Sequence, residues 1–454
     1  MRGSIGLEDV FAYVDEKRED YIGLLRRFCR QPSVSAQDLG VDEMAEMVAS
    51  EMRRVGGDVR LVSTAGKPVV FAAFQGRGER TLSFYNHYDV QPPEPLELWD
   101  SPPFAAEVRD GCLYARGAAD NKGNLVARIA AVEAFLKTRG ELPLNVKFIV
   151  EGEEEIGSPH LSEFAREHGD LLRSDGCIWE SGGKDPRGRP EVYLGMKGIC
   201  YAELSASGAN RDLHSSWGTV VPNPAWRLVH ALSTLKDRDE RVLIKGFYDK
   251  VRDPSERDLE ALRRMDFDVD GWREKFGLKR FLKDLSGMDF LVKHFFQPTC
   301  TICGIVGGYT GAGSKTVLPS EALAKVDFRL VPDQEPGEIP RLLRNHLDSH
   351  GFRDLRIKVS EGEHPARSSL DSSIAEVAVS TAKRIYGREP VVYPMMAGSG
   401  PMYVLCQKLG IAAASVGVSY ADSRGHAPNE NIRLDDFVNG TKHIGLIMHE
   451  FSKT

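Results

Sequence analysis

The chain is short of most features that would mark a specialised architecture. Its 454 residues include seven cysteines: Cys29, Cys112, Cys177, Cys200, Cys300, Cys303 and Cys406. So sparse, odd and scattered a set argues against a disulfide framework and for reduced thiols, and so for a cytoplasmic location. Cys300 and Cys303 form one CxxC. A zinc ribbon needs a second such pair, and this one lies in the strand-like run Thr301–Val306 instead of opening a helix, so both read as structural thiols. No run of about 18 apolar residues exists to span a membrane. Arg2, Glu8, Asp9, Asp15, Glu16, Lys17 and Arg18 interrupt any apolar leader, so no secretory signal is expected. Basic blocks are absent and the net charge is −7, so neither nucleic acid nor a membrane is an expected partner. Glycine (44) and proline (24) are too few for a collagen-like or low-complexity chain. There is no internal repeat. What remains is an ordinary soluble composition, 41% hydrophobic and 28% charged, of a length that accommodates about two or three domains.

Apolar periodicity predicts a helix over about Leu7–Phe28, ended by Pro32, and a second over about Asp42–Val55, stopped at Gly56-Gly57. Strand-like runs follow at Val69–Phe74 and Thr81–Asn86, the latter running into His87-Tyr88-Asp89. Five prolines between 91 and 103 predict a rigid loop. Leu113–Arg116 reads as a short strand, Gly117–Gly123 as a turn and Asn124–Leu136 as an Ala-rich helix. The buried strand Leu144–Val150 ends in Glu151-Gly152-Glu153-Glu154-Glu155, and Cys177–Trp179 ends in Glu180. Strands alternating with helices predict an α/β fold with helices on both faces of a mixed sheet, whose ligands lie at the carboxyl ends of the strands.

From Gly198 the pattern changes. Strand Cys200–Ala206, helix Pro222–Leu235, strands Cys300–Val306 and Glu321–Leu330, helix Glu338–Asp348 and strand Leu355–Val359 give a β-α-β-β-α-β order, ferredoxin-like, interrupted by a charged helical insertion at about 236–293. The α/β pattern resumes with helix Ser372–Tyr386, strand Ile411–Val416 and helix Asp435–His449. The expected organisation is one domain built from 1–197 and 363–454, with an α+β domain at 198–362 inserted between its halves.

Several strands therefore end in groups that bind cations: His87, Asp89, Asp120, Glu153-Glu154-Glu155 and Glu180, with His426 in a late polar loop. Singly each is unremarkable chemistry. A histidine after a strand is commonly just a hydrogen-bonding residue, Asp120 suits a turn or helix start, and three glutamates suit a solvated run. The glutamates, however, follow the apolar run Val146–Val150 directly. Burial there would press carboxylates together, and their repulsion needs a cation or a proton to relieve it. Imidazole and carboxylate ligands without cysteine suit a catalytic zinc site, with manganese and cobalt as alternatives, and the set is large enough for two ions.

The stretches HYDVQPPEPLELWDSPPF from His87, DGCLYARGAADNKG ending at Gly123 and EGEEEIGS at 151–158 resemble the M20 family of co-catalytic zinc peptidases, in particular its carnosinase-like and cytosolic non-specific dipeptidases. DLHSSWGT at 212–219, GAGSKTVLP at 311–319, FRLVPD at 328–333 and RGHAPNENI at 424–432 extend the resemblance over almost the whole chain. It implies a zinc-exopeptidase-like catalytic domain with an inserted lid and dimerisation domain. It further implies two divalent cations per subunit, zinc first, bridged by Asp120, with His87 and Glu180 completing one position and Glu155 and His426 the other. Glu154 would be the general base toward a water bridging the two ions, and Asp89 would hold the His87 imidazole. His214 would act in trans across a homodimer, stabilising the oxyanion in the partner's site. Arg329 would hold the terminal carboxylate of a small peptide substrate, and Ser399 and Gly400 would belong to the substrate loop. The implied reaction is hydrolysis of dipeptides or short peptides with a free C-terminus.

Two departures bear on substrate. Position 180 is Glu, which resembles the carboxypeptidase and acylase branches, where the dipeptidases often carry Asp. An N-acyl-amino-acid amidohydrolase or a carboxypeptidase is therefore the alternative. His364 does not match the family's substrate-contacting histidine and stays outside the set. A non-catalytic relative is disfavoured because every ligand and the base are present together.

Overall fold

The computed structural model describes residues 6–360 and 362–454. Arg2 of the charged N-terminal segment lies outside them. Two compact units form. The first comprises Met1–Gly195, Arg367–Pro394 and Pro401–Thr454; the second comprises Met196–Ala366 and Met395–Gly400.

Along the chain the first unit lays down strands β1 (Asp58–Val62), β2 (Val69–Phe74), β3 (Thr81–His87), β4 (Asn145–Glu151), β5 (Gly176–Trp179) and β6 (Glu191–Tyr193). The second unit supplies β7 (Gly198–Ser207), β8 (Thr301–Gly307), β9 (Glu321–Leu330) and β10 (Arg356–Val359). The chain then returns to the first unit for β11 (Val391–Tyr393) and β12 (Ala413–Ser415).

The first unit's mixed eight-stranded sheet has the order β1-β2-β4-β3-β5-β12-β6-β11. β1, β2 and β4 pair antiparallel, whereas β4, β3, β5 and β12 run parallel. Register places His87 beside Glu151 and Ser415 beside Trp179. The carboxyl ends of four neighbouring strands thus share one crest, which is why residues distant in sequence converge there. The central strands β3 and β4 are buried along most of their length, and each fully buried Val, Ile or Phe among them contributes roughly 1.5–3 kcal/mol. Helix Val41–Val55 packs on β1 and β2, helix Gly123–Arg139 on β3, and helix Ser373–Tyr386 on β5 and β12. Helix Leu434–Phe451 packs against the helices Gly123–Arg139 and Ser373–Tyr386.

The N-terminal helix expected as one element is two, Glu8–Glu16 and Arg18–Arg30, broken at Lys17. The run Glu16-Lys17-Arg18-Glu19-Asp20 offers nothing to bury, so the apolar stripes on either side are free to change direction. His443, one of the histidines without a place in the motifs, is a core residue whose Nε2 lies 3.0 Å from Thr381 Oγ1.

The second unit carries a fully antiparallel sheet of order β8-β9-β7-β10. Helix Pro224–Leu235 packs on β7 and β9, and helix Ile339–Ser349 contacts β10, together closing one core around Leu204, Val326, Phe328, Leu228 and Leu343. The charged insertion forms helices Glu256–Arg264, Val269–Lys275 and Gly287–Phe296. Cys300 is buried and Cys303 exposed, both as free thiols. No helix among the described residues is long and apolar enough to cross a membrane.

Candidate metal centre

β3 is buried almost throughout and delivers His87 to the crest inside the protein. The ladder continues one residue further, Tyr88 N donating to Glu151 O at 2.8 Å, and this sets Asp89 at the mouth. Asp89 is wholly buried and has two jobs. Its carbonyl oxygen lies 3.1 Å and its Oδ1 3.4 Å from His87 Nδ1, an arrangement that leaves Nε2 to face the centre. Its carboxylate also accepts the Glu154 and Glu155 amides, at 3.3 and 3.0 Å. The same residue therefore orients the imidazole and pins the short 3-10 turn Glu154–Ile156 that follows β4.

Asp120 stands in the turn Ala118–Lys122, entered through Gly117 at φ +85°. A side chain on Gly117 would meet Val90 Cγ1 at 2.6 Å, so both conformation and space require glycine here. The Asp120–Asn121 peptide is cis. The turn is held by Glu430, a buried carboxylate that accepts hydrogen bonds from Arg116 Nη1 (2.7 Å), Gly117 N (3.0 Å), Ala119 N (2.9 Å) and Asp120 N (3.0 Å). Sequence reasoning missed Glu430. It sits in the quoted motif RGHAPNENI, but nothing in that string announces that its carboxylate folds a turn three hundred residues upstream. Gln91 was missed likewise: its Nε2 donates to Glu155 Oε2 and to Glu155 O, each at 3.0 Å.

The proposed ligands converge. Asp120 places one oxygen toward each histidine: Oδ1 is 2.9 Å from His87 Nε2 and Oδ2 is 3.1 Å from His426 Nε2. Glu180 Oε2 lies 3.3 Å from His87 Nε2, and Glu155 Oε2 lies 3.0 Å from His426 Nε2. The ligand atoms of His87, Asp120 and Glu155 all fall within 4.8 Å of one another. The side chains of His87, Glu155 and Glu180 are buried, while His426, in a loop at φ +61°, is half exposed.

Electrostatics follow from this crowding. Burial, reinforced by Glu180, pushes the Glu154 carboxyl well above the ordinary range. Burial likewise raises Glu180, to about 7. Burial would raise Asp120 as well, but its hydrogen bonds to His426 and His87 hold it low. Hydrogen bonds to Asp120 and Glu155 raise His426 to about 10. Among the described residues, Glu155 Oε1 and Glu180 Oε2 are buried and receive no hydrogen bond. Acceptors facing acceptors, with two imidazole nitrogens between them, form a donor set that fits divalent cations bound by nitrogen and oxygen.

The remaining sequence candidates lie in the second unit. Arg329, on β9, donates from Nε to Asp327 Oδ2 (3.2 Å) and from Nη1 to Ser399 Oγ (2.8 Å), so Arg329 and the Ser399-Gly400 segment come together. His214 is exposed, its Nδ1 accepting from Ser216 N at 3.2 Å. His364 lies 3.2 Å from Glu335.

Comparison with known proteins adds the following. The profile of peptidase family M20/M25/M40 matches residues 83–450. The chain is 28% identical to the Beta-Ala-His dipeptidase of Mus musculus, over 98% of this chain and 96% of that protein. It is also 28% identical to the Cys-Gly metallodipeptidase dug1 of Schizosaccharomyces pombe, over 99% of each. The crystal structure of an M20 family metallo-carboxypeptidase from Sulfolobus solfataricus is similar at a TM-score of 0.91 and 40% identity, covering 96% of this chain and 99% of that one.

Proposed function

This chain belongs to peptidase family M20/M25/M40, and from that premise we propose that it hydrolyses the peptide bond of dipeptides or short peptides bearing a free C-terminal carboxylate. The observation that carries the reading is the convergence of His87, Asp120, Glu155, Glu180 and His426, with Asp120 facing both imidazoles. His87 and Glu180 with one Asp120 oxygen would hold one divalent cation, and Glu155 and His426 with the other oxygen a second. Zinc suits this set, and manganese or cobalt share its ligand preferences. When bound, such cations supply Lewis acidity toward water and toward the scissile carbonyl.

The chain's own groups do the rest. Glu154 is held at the crest by its amide bond to Asp89, and its raised proton affinity suits a base that takes a proton from attacking water and returns it to the leaving amine. Arg329, fixed along one edge by Asp327 and Ser399, offers its remaining N–H groups to a terminal carboxylate. We assign the second unit, with its β-α-β-β-α-β order, the role of a ferredoxin-like lid and dimerisation domain. Its edge strand β8 exposes Ile302, Ile305 and Val306, and helix Pro224–Leu235 exposes Trp226 and Val229. An apolar edge strand is a template for a second copy, which supports a homodimer with His214 acting in trans. Light scattering on active protein should read a dimer, and a fully active monomer would remove His214 from that role. The free thiols support a reducing, cytoplasmic setting.

A second reading is a carboxypeptidase or N-acyl-amino-acid amidohydrolase, favoured by the 40% identity to a metallo-carboxypeptidase and by Glu at position 180. A panel of free dipeptides, N-blocked dipeptides and N-acetyl amino acids separates the two. Free dipeptides should be cleaved fastest, with all turnover abolished by a chelator and restored by divalent cations. Preference for the N-blocked substrates would shift the assignment to the second reading, and chelator-resistant cleavage would reject both.

A further inference from the structure

Arg128 lies one turn into the helix Gly123–Arg139, which continues directly from the turn bearing Asp120, and its side chain is buried. The hydrogen bonds it makes all go to uncharged acceptors. Nη1 donates to Tyr85 O and, at 2.7 Å, to Asn86 Oδ1; Nη2 donates to Trp179 O and, at 3.4 Å, to Val416 O. Those acceptors belong to β3, to β5 and to the residue after β12. A guanidinium this deep loses its hydration, and only a full set of well-placed acceptors offsets that loss.

The network extends. Asn86 Nδ2 donates to Asn121 Oδ1, and Asn121 Nδ2 donates to Glu180 O at 2.9 Å. Asn86 and Asn121 are both wholly buried. Asn86 adjoins His87, Asn121 adjoins Asp120, Trp179 adjoins Glu180, and Glu180 is bonded directly. Every residue assigned to one cation position is therefore tied, through itself or its immediate neighbour, to one closed frame. Glu155 and His426 are not: Glu155 is held by Gln91 and Asp89, and His426 stands on an exposed loop.

We propose that Arg128, with Asn86 and Asn121, is the positioning frame of the His87–Asp120–Glu180 cation position, and that it reaches the second position only through the shared Asp120. It fixes the spacing of those three ligands without touching substrate, and it leaves the Glu155–His426 position to separate supports. This rests on the two-cation reading above. Residues that orient metal ligands from behind commonly set affinity by about 10–100-fold, and here that effect should fall mainly on one of two ions.

The test uses calorimetric zinc titrations of the 454-residue protein. In a His426→Ala background the remaining cation reports the His87 position, and adding Asn86→Ala or Arg128→Met should weaken it about 10–100-fold. In a Glu180→Ala background the remaining cation reports the Glu155–His426 position, and adding Asn86→Ala should weaken it at least about tenfold less than it weakens the His87 position, since the frame reaches it only through Asp120. Melting of the metal-free proteins identifies any variant that has simply lost its fold, and Asn86→Ala, which deletes one amide and keeps the guanidinium, decides the matter if Arg128→Met does not fold. Equal weakening in both backgrounds, or none in either, overturns the inference. A wild-type protein that takes up only one zinc overturns the two-cation reading itself, and this inference with it.

Discussion

Glu154→Gln should lower kcat by about 10²–10⁴-fold while the protein keeps its full complement of cations. The substitution preserves shape and the amide bond to Asp89, and removes only the ability to accept and return a proton. Glu154 is suited to that task by position. Burial and the neighbouring Glu180 carboxylate raise its proton affinity, and it is distinct from the carboxylates that face the imidazoles. Its neighbour Glu155 provides the internal control. Glu155 Oε2 lies 3.0 Å from His426 Nε2, so Glu155→Gln should lose a cation, with activity falling as a consequence. Two adjacent glutamates, changed in the same way, should thus fail differently. Elemental analysis beside steady-state kinetics distinguishes them: Glu154→Gln lowers kcat with metal retained and KM little changed, the pattern of an interaction made in the transition state. Wild-type turnover in Glu154→Gln, or loss of metal from it, would reassign the base.

The parts of this arrangement that were legible in the sequence share a physical cause. β3 and β4 are mostly buried runs that end at ionisable residues, and a buried run cannot end in His87 or in Glu153-Glu154-Glu155 without those groups meeting partners. The parts that were not legible depend on partners far away in the chain. Glu430 reads as one acid in a polar loop, and only the tertiary structure reveals four donors converging on it. Arg128 is one charge in an Ala-rich helix, and only the tertiary structure reveals that the helix is buried nearly all round and that the arginine is bonded to strand ends. β1 escaped notice because Asp58-Val59-Arg60-Leu61-Val62 is half exposed, and its pairing with β2 supplies what its composition does not. β6 and β11 are three residues each, too short for periodicity to show, and they exist because neighbouring strands hold them. The break at Lys17 was missed because two short amphipathic stripes with a small offset resemble one long one.

Asp120→Ala should cost the protein both cations and at least about 10³ in kcat/KM, corresponding to several kcal/mol of lost transition-state stabilisation. Among the assigned ligands it is the residue whose two side-chain oxygens face different imidazoles, 2.9 Å from His87 and 3.1 Å from His426. Removing Glu180 or His426 strips one position and leaves the other with two of its own groups and half of Asp120. Removing Asp120 takes an anionic oxygen from each position at once and leaves neither with more than one imidazole and one carboxylate. The fold should tolerate the change, because the turn is held by Glu430 through its backbone amides and the Asp120 side chain is itself a third exposed. The metal-free Asp120→Ala protein should still melt cooperatively, at or somewhat below the metal-free wild type, since the contacts of Asp120 with His87 and His426 are lost while the turn itself is kept. The comparison that decides is zinc content after dialysis across three variants: none in Asp120→Ala, and one each in Glu180→Ala and His426→Ala. Asp120→Ala protein that retains two tightly held zinc ions would mean that the oxygen shared between the two positions comes from elsewhere, and Glu154, which adjoins Glu155 at the crest, would then have to be tested as ligand instead of base.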